Sequence, residues 1–247
     1  MLYTKGLRAI LLSQILEGGG MEAQKCIKEC DKRGLIEELP RDSSGKILDK
    51  SSVQLQSRRR IFDGFFKIDE VIVDHQRFDG EMLYDIRREV IVKCDTVSIL
   101  LYDPKLDHLL FVRQLRVPLI EREERRSPWT IEIVAGTIDR AESPEMIIRA
   151  EAEEEAGVEI EKLIPIYQYY PSTGGSPGKM HLYLGLCDLS CAGGYYGIEE
   201  EGEDIEAFTM TREEAFQLLD QGKLDNEFTL IAILWFKLHY QEYLMSA

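Results

Sequence analysis

The sequence predicts a mixed α+β fold, and both its pattern and its composition favour that class. Segments with the alternating apolar pattern of strands flank a few helical segments, without the regular strand–helix repeat of a parallel sheet. The chain has 247 residues, of which 44% are hydrophobic and 30% charged, so it is able to bury a full-sized core. No internal repeat is visible.

The first 56 residues are expected to form an extension that precedes the main fold. Helical patterns cover Gly6–Leu16 and Glu22–Leu35, and the polar stretch Pro40–Ser52 is typical of a linker. The predicted domains are a helical extension and linker (residues 1–56), an amino-terminal β subdomain (57–95) and a main domain (96–247).

Strand patterns begin after residue 65, where apolar and polar residues start to alternate. Asp79-Gly80, within Phe78–Met82, indicates a hairpin turn. The predicted strands are Phe66–Val73, Val90–Lys93, Val97–Tyr102, His108–Leu115, Trp129–Val134, Ile164–Tyr170 and His181–Leu186. Two helices, Arg212–Gln221 and Thr229–Leu244, are expected to close the chain.

One further helix is predicted over Ser143–Ala156. Ser143 is suited to cap its first turn, Pro144 fits the first helical position, and Glu145 favours the positive end of the helix dipole. Gly157 is expected to end the helix.

Charge and cysteine content exclude several functional classes. The formal net charge of −15 argues against binding to nucleic acid and to anionic membrane surfaces. No apolar run approaches the roughly 20 residues that a membrane span requires, and no secretory signal is recognised. The five cysteines stand at undistinguished spacings, so free thiols in the cytoplasm are expected.

The predicted helix carries an unusual concentration of glutamates. Glu151, Glu154 and Glu155 stand at positions i, i+3 and i+4 and therefore share one helix face. Like charges placed in this way repel one another unless a cation offsets them, and Mg²⁺ prefers carboxylate oxygens. On the helix alone, a solvated acidic face remains an equal alternative to a metal site.

The surrounding spacing indicates a family. Residues 136–158 read GTIDRAESPEMIIRAEAEEEAGV, in which Gly136, Glu142, Glu151, Glu154, Glu155 and Gly157 match the Nudix box. The chain therefore resembles the Nudix hydrolase superfamily, in particular its ADP-ribose pyrophosphatase or nucleoside-diphosphate-sugar hydrolase branch, with bacterial tellurite-resistance-type relatives. Further similar segments are FFKIDEV, VRQLRVP, PWTIEIVAG, YYPSTGG, EEEGEDI and LDQGKLDNEFTLIAILWFKLH.

This resemblance implies a Nudix α/β/α sandwich with an amino-terminal antiparallel β-sheet subdomain, to which the helical extension is an addition. It implies Mg²⁺-dependent hydrolysis of ADP-ribose to AMP and ribose 5-phosphate, with Mn²⁺ as an alternative cation. It also implies a homodimer in which the amino-terminal sheet of one subunit completes the other's site. Two alternatives are another nucleoside-diphosphate sugar, such as a UDP- or GDP-sugar, and a degenerate domain that senses a nucleotide sugar.

Carried over by motif position, the resemblance also implies roles for individual residues. The expected metal ligands are Glu151, Glu155, the carbonyl of Ala135 and Glu203, with Glu154 and Glu142 as accessory groups. Glu201 is the expected base, although the loop Glu199–Glu206 also fits a simple exposed acidic loop. The expected substrate contacts are Arg88, Arg116 and, more weakly, Arg87. Glu132 suits either ribose hydroxyls or a plain strand position, and Trp129 and Phe111 are expected in the core.

Two positions depart from the family pattern. Ala150 stands where the box has an arginine that orients a metal-binding glutamate, and Arg149 points about 100° away around the helix. Gly178 stands where relatives commonly carry glutamate, in a loop expected to touch the far end of the substrate. The first change is expected to slow the reaction, and the second to alter specificity.

Overall fold

The computed structural model describes residues 39–125, 127–198 and 202–244. Its contacts divide the described chain into two compact units. The first unit comprises residues up to Ile61 together with Asp69–Glu89, and the second comprises Phe62–Ile68 together with Val90 onward. The predicted helices Gly6–Leu16 and Glu22–Leu35 lie outside the described residues.

Eleven strands and three α-helices are described. The strands are β1 (Val53–Asp63), β2 (Lys67–Gln76), β3 (Met82–Val92), β4 (Thr96–Asp103), β5 (His108–Leu115), β6 (Trp129–Glu132), β7 (Val134–Thr137), β8 (Lys162–Tyr169), β9 (Met180–Leu186), β10 (Gly194–Tyr196) and β11 (Ile205–Thr211). The helices are α1 (Pro144–Ala156), α2 (Arg212–Asp220) and α3 (Glu227–His239).

A three-stranded antiparallel sheet of order β1-β2-β3 forms the predicted amino-terminal sheet. Strand β1 is a feature that sequence patterning did not predict, because its middle residues, 56–60, are all polar and interrupt any apolar alternation; all eleven of its residues are exposed. In the first unit, its arginines are held instead by a buried carboxylate. Asp69 is 4% exposed and accepts hydrogen bonds from Arg58, at 2.6 Å, and from Arg60.

The polar segment before β1 has a defined local structure. Arg41 and Ile47 form an isolated antiparallel bridge. Between them, the buried Asp42 carboxylate accepts hydrogen bonds from the backbone N–H groups of Ser44 and Lys46, at 2.9 and 3.0 Å. Composition alone does not distinguish such a side-chain-supported turn from a linker.

The second unit is built on an eight-stranded sheet. Its main path runs β10-β11-β5-β4-β9-β8, while β6 pairs with β5 and β7 pairs with β4. The β4–β9 pair is parallel, and the other described pairs in this sheet are antiparallel. Strands β6 and β7 are consecutive, so the chain changes its pairing partner at Ile133.

Helices cover both faces of this sheet. Alternate residues of β4 point to opposite faces: Ile99 packs with the α1 residues Ile147 and Ala152, and Leu100 packs with Phe236 of α3. All four of these apolar side chains of β4 and α1, and Phe236, are fully buried. The expected α/β/α sandwich is thereby confirmed. Among the described helices, none combines the length and the apolar character that crossing a membrane would need.

Helix α1 begins and ends as its sequence predicts. The Ser143 hydroxyl accepts a hydrogen bond from the backbone N–H of Met146 at 3.3 Å, and Pro144 is the first helical residue. Gly157 ends the helix in the left-handed conformation with φ 64°. These caps fix which glutamates of α1 face strand β7.

Candidate active site

The box glycine, Gly136, and Glu151 of α1 are in direct contact. A Cβ atom built on Gly136, in β7, would lie 2.1 Å from Oε1 of Glu151 and 2.5 Å from its Cγ. Any side chain at position 136 would therefore occupy the space of this carboxylate. Glycine at this position lets the Glu151 carboxylate lie directly over the backbone of β7.

Glu155 lies one helical turn further and is more deeply enclosed. It is 6% exposed, and its Oε2 accepts a hydrogen bond from the backbone N–H of Ala135 at 3.2 Å. Because α1 packs on β7, the side chains of Glu151 and Glu155 lie against two consecutive residues of one strand. A buried carboxylate with a single neutral donor is a costly arrangement unless another charge compensates it.

The pKa values of both glutamates are raised by their burial. Burial, together with the negative charges of Glu151 and Glu203, raises the pKa of Glu155 to about 8, while the hydrogen bond from Ala135 and the charge of Arg116 oppose the shift. Burial, together with Glu154 and Glu203, raises the pKa of Glu151 to about 7, while Arg140 opposes the shift. The predicted acidic residues are thus brought within electrostatic range of one another.

Glu203 enters this cluster from the loop before β11. Its side chain is exposed, and its Oε2 accepts a hydrogen bond from the backbone N–H of Ile198 at 3.4 Å. Glu154 lies on the exposed side of α1, beside Glu151. Glu201, the expected base, lies outside the described residues, two positions before Glu203.

Arg116, which lies within electrostatic range of Glu155, is held in place by a buried acid. Its Nε and Nη2 donate to the two carboxylate oxygens of Glu132 at 2.9 and 2.6 Å. Glu132 is 1% exposed and also accepts a hydrogen bond from the Thr130 hydroxyl. The hydrogen bonds to Glu132 raise the pKa of Arg116 above its ordinary value. Glu132 is therefore occupied by protein partners, which favours a role in orienting Arg116 over direct contact with ribose.

Arg87 and Arg88 lie in β3 and belong to the first unit. Arg87 donates to the Glu70 carboxylate at 2.6 Å, and Glu70 also accepts from Arg59 at 2.8 Å. The Arg88 side chain is exposed and donates to the backbone carbonyl of Arg87 at 2.8 Å. Both side chains are exposed, and among the described interactions Arg88 has no carboxylate partner, whereas Arg87 is paired with Glu70.

The missing box arginine is not replaced by its neighbour. Arg149 donates to the backbone carbonyl of Ile160 at 2.6 Å, so its guanidinium group supports the segment after α1. Ala150 is half-buried and offers no charge. Arg140, in the box loop, is the cation that favours ionisation of Glu151, a contribution that residue spacing did not reveal.

Of the two aromatic residues expected in the core, one is buried and one is exposed. Phe111 is fully buried, as expected, whereas Trp129 is 50% exposed, so the expectation that it belongs to the core is wrong. Trp129 and the exposed Tyr195 line an open cleft with Arg113, Asp204 and Glu206. Trp129 is the first residue of β6, where the strand follows a loop, and its side chain stays exposed while the next residue, Thr130, is buried.

The acidic cluster fits a hard divalent cation. Within the described ranges, no three carboxylate, imidazole or thiolate groups already converge on one point. Mg²⁺ commonly retains several waters and binds through one or two carboxylates together with substrate phosphates. The mutually repelling carboxylates of Glu151 and Glu155 beside β7, together with the exposed Glu203, provide such a partial set of oxygen ligands.

Comparisons with known proteins agree with this geometry. The family described as NUDIX domain matches residues 92–230. The ADP-ribose pyrophosphatase of Escherichia coli K12 is 34% identical over 192 residues, which cover 78% of this chain and 91% of the relative. The GDP-mannose pyrophosphatase of Escherichia coli O1:K1 is 28% identical over 189 residues, covering 76% of this chain and 96% of the relative.

A solved structure is similar in fold. The crystal structure described as an ADP compounds hydrolase superposes with a TM-score of 0.61. The match covers 81% of this chain and 100% of that chain, at 15% sequence identity. At this identity the likeness supports the arrangement of strands and helices, and the sequence relatives carry the family relationship.

Proposed function

The chain belongs to the NUDIX domain family, and from that premise we propose that it hydrolyses the pyrophosphate bond of ADP-ribose to give AMP and ribose 5-phosphate. The observation that carries the proposal is the packing of the Glu151 carboxylate on Gly136 beside the buried Glu155. This arrangement suits a reaction in which an anionic pyrophosphate must be neutralised before water attacks it.

We propose that Mg²⁺, with Mn²⁺ as an alternative, is held by Glu151, Glu155, the carbonyl of Ala135 and Glu203, with Glu154 as an accessory group. When bound, the cation neutralises phosphate oxygens and lowers the pKa of the attacking water. The buried position of Glu155 keeps its carboxylate fixed, and the backbone N–H of Ala135 orients it. Glu201 is the proposed base that removes the proton from the water.

Arg116 is the proposed contact to the substrate phosphates in the second unit. A guanidinium group fixed by two hydrogen bonds to a buried carboxylate loses little freedom when it binds an anion. Glu132 then acts as its positioning residue. Arg88, and more weakly Arg87, are proposed as contacts contributed by the amino-terminal sheet of a second copy in a homodimer.

The remaining sequence-based assignments are also proposals. They are a division into an extension (1–56), a β subdomain (57–95) and a hydrolase domain (96–247), and a cytoplasmic location. The −15 net charge supports a small nucleotide-sugar partner in preference to nucleic acid or a membrane surface.

The first experiment is incubation of the purified protein with ADP-ribose, with Mg²⁺ or with EDTA, followed by chromatography. AMP and ribose 5-phosphate are expected in equal amounts with Mg²⁺, and neither product with EDTA. Release of AMP at the same rate in both mixtures would contradict the proposed role of the acidic cluster. Binding of ADP-ribose without any release of AMP would support the sensor alternative instead.

A second candidate substrate is a GDP- or UDP-sugar. The similarity to a GDP-mannose pyrophosphatase favours it, as does Gly178 in the loop after β8. A panel of ADP-ribose, GDP-mannose and UDP-glucose, compared by kcat/KM under the same Mg²⁺ concentration, distinguishes the candidates. ADP-ribose is expected to give the highest value.

Restoring the box arginine is expected to accelerate the reaction. In Ala150→Arg, a guanidinium group beside the α1 glutamates should raise kcat/KM for ADP-ribose by about tenfold, because a charge-assisted hydrogen bond contributes about 1.5–3 kcal/mol. Ala150→Gln is the matched control, since it adds length without charge. Equal rates for the two variants would mean that Arg140 and the cation already offset the negative charges of the α1 glutamates without the box arginine.

A further inference from the structure

Glu203 stands in the loop that joins β10 to β11, and the first residues of that loop hold it in place. Tyr196 of β10 pairs with Ile205 of β11, so the loop begins at Gly197, and Glu203 lies near its end. The backbone N–H of Glu203 donates to the carbonyl of Ile198 at 3.2 Å, and the backbone N–H of Ile198 donates to Oε2 of Glu203 at 3.4 Å. The backbone on the opposite side of the loop therefore orients one carboxylate oxygen of Glu203.

Gly197 lies directly against Glu203. A Cβ atom at position 197 would lie 2.8 Å from the carbonyl oxygen of Glu203, 2.9 Å from its Cβ and 3.0 Å from its carbonyl carbon. Two of these atoms belong to the backbone and the third is bonded to it, so the contact involves no flexible side-chain end that could move aside. Gly197 also has φ 107°, a conformation that residues with a Cβ atom rarely adopt. Glycine at this position therefore lets the backbone of Glu203 approach closely.

The residue before Gly197 lies against the end of α1. A Cβ atom on Gly157, which ends that helix, would lie 2.7 Å from the hydroxyl oxygen of Tyr196 and 3.0 Å from its ring. Tyr196 also packs against the apolar cluster that α1 forms with the sheet. Because Tyr196 and Gly197 are consecutive, the chain at the end of β10 contacts α1 with one residue and Glu203 with the next.

The position of Glu203 relative to the other acidic residues depends on these contacts. Glu151 and Glu155 are one turn apart on α1, so helix geometry fixes their spacing. Glu203 belongs to a different element, and its place beside them is set by what connects its loop to α1. Strand β10 packs on that helix and supplies such a connection.

From this arrangement we propose that Gly197 is a positioning residue for the divalent cation, because the space it leaves sets how close the Glu203 carboxylate comes to Glu151 and Glu155. Tyr196 fixes the same segment against α1. Replacing a residue that supports a metal ligand without touching the metal commonly costs about ten- to a hundredfold in metal affinity or activity. The inference rests on the proposed function, since it takes Glu203 as a ligand of the cation.

The first test compares Gly197→Ala with Gly193→Ala. Gly193 precedes β10 and has φ 120°, but a Cβ atom there would meet only the carbonyl oxygen of Ala207, at an ordinary 3.6 Å. Both variants carry strain from a positive φ, and only Gly197→Ala meets Glu203. Affinity for Mn²⁺ without substrate, measured by electron paramagnetic resonance, is expected to fall about tenfold or more in Gly197→Ala. Gly193→Ala should stay within about twofold of wild type, and an equal loss in both variants overturns the inference.

The second test asks whether Gly197 acts through the Glu203 carboxylate. Gly197→Ala is introduced into Glu203→Gln, and Mn²⁺ affinity is compared with that of Glu203→Gln alone. Substitutions that act through one interaction are not additive, so the two proteins are expected to agree within about twofold. A loss by the same factor as in the wild-type background would show that the alanine acts on the loop alone and would overturn the inference.

A measurement on wild type decides the inference if Gly197→Ala does not fold. In protein labelled with 15N-glycine, Mg²⁺ is expected to shift the amide resonance of Gly197 and to leave that of Gly222, in the turn after α2, unchanged. The Gly197 shift should be absent in Glu203→Gln. A Gly197 resonance that does not respond to Mg²⁺ in wild type overturns the inference.

These readouts need no substrate, which keeps them separate from the proposed function. If wild type binds Mg²⁺ but does not release AMP from ADP-ribose, the proposed hydrolysis fails, and the Mn²⁺ affinities of the Gly197 variants still decide the positioning role. If ADP-ribose is hydrolysed and Gly197→Ala binds Mn²⁺ as tightly as Gly193→Ala, the hydrolysis stands and the positioning role is overturned.

Discussion

Replacing Glu155 by glutamine is expected to lower kcat for ADP-ribose by about a hundred- to a thousandfold. The amide keeps the size of the side chain, so α1 should still pack on β7. It removes one negative charge from the proposed cation site and leaves Glu151 and Glu203 as the remaining acidic ligands. Steady-state rates at saturating Mg²⁺ and ADP-ribose measure the effect.

The same substitution is expected to stabilise the metal-free protein at alkaline pH. The pKa of Glu155 is raised to about 8 in the fold, compared with about 4.3 in an unfolded chain, because its carboxylate is buried beside other negative charges. The protonated group is favourable at low pH, and that contribution is lost as the pH rises toward and through about 8. Glutamine stays neutral throughout.

Thermal unfolding in EDTA at pH 5 and pH 9 tests this expectation. The Tm of Glu155→Gln should exceed that of wild type by about 3 °C or more at pH 9, and by much less at pH 5, which is only slightly above the unfolded pKa of about 4.3. Glu153→Gln is the control for charge, because Glu153 is exposed on the same helix. Similar pH profiles for wild type and Glu155→Gln, or an unimpaired kcat, would remove Glu155 from the proposed cation site.

Gly136→Ala is expected to lower kcat/KM by about a hundredfold with little change in stability. The new methyl group would occupy the position of the Glu151 carboxylate, whose Oε1 lies 2.1 Å from the Cβ site. The clashing atoms belong to the end of a flexible side chain, so the carboxylate should swing away while the backbone stays in place. Displacement by even about 1 Å is enough to impair catalysis on this scale.

Activity assays and thermal unfolding on one preparation separate the two effects. Gly174→Ala is the matched control, because nothing lies within 4 Å of its Cβ position. That control should retain wild-type rates. A Gly136→Ala protein with a Tm lowered by more than about 5 °C would indicate a structural role for the glycine rather than space for the carboxylate.

Local signals were sufficient to predict the elements that carry the candidate site. Helix α1 follows from its caps at Ser143 and Gly157, and β5 follows from the short continuous apolar run at residues 109–112, which is typical of a strand buried on both faces. The spacing between Gly136 and the glutamates also anticipated that these residues meet. Gly136 and these glutamates lie on a strand and a helix that follow each other in the chain, so a short sequence motif is enough to predict that they lie close together.

Other features depend on information that short patterns do not contain. Strand β11 was hidden because its first residues continue the acidic loop, and β1 was hidden because its arginines are held by Asp69. The ion pair between Arg116, which follows β5 directly, and Glu132 of β6 joins residues 16 positions apart, and no sequence periodicity indicates such a contact. Trp129 illustrates the same limit, since burial depends on what lies across the sheet.

The change of pairing partner between β6 and β7 is anchored from a distant part of the chain. At this point the backbone N–H of Ile133 donates to the hydroxyl of Thr229, at 3.1 Å, and Thr229 is fully buried in the first turn of α3. Glu132 and Val134 flank this anchor, and Ala135 follows. A transfer of the site to another scaffold would therefore have to include the carboxyl-terminal helix. If only the box segment were transferred, the alignment of Glu132 on β6 with Ala135 on β7 would be lost.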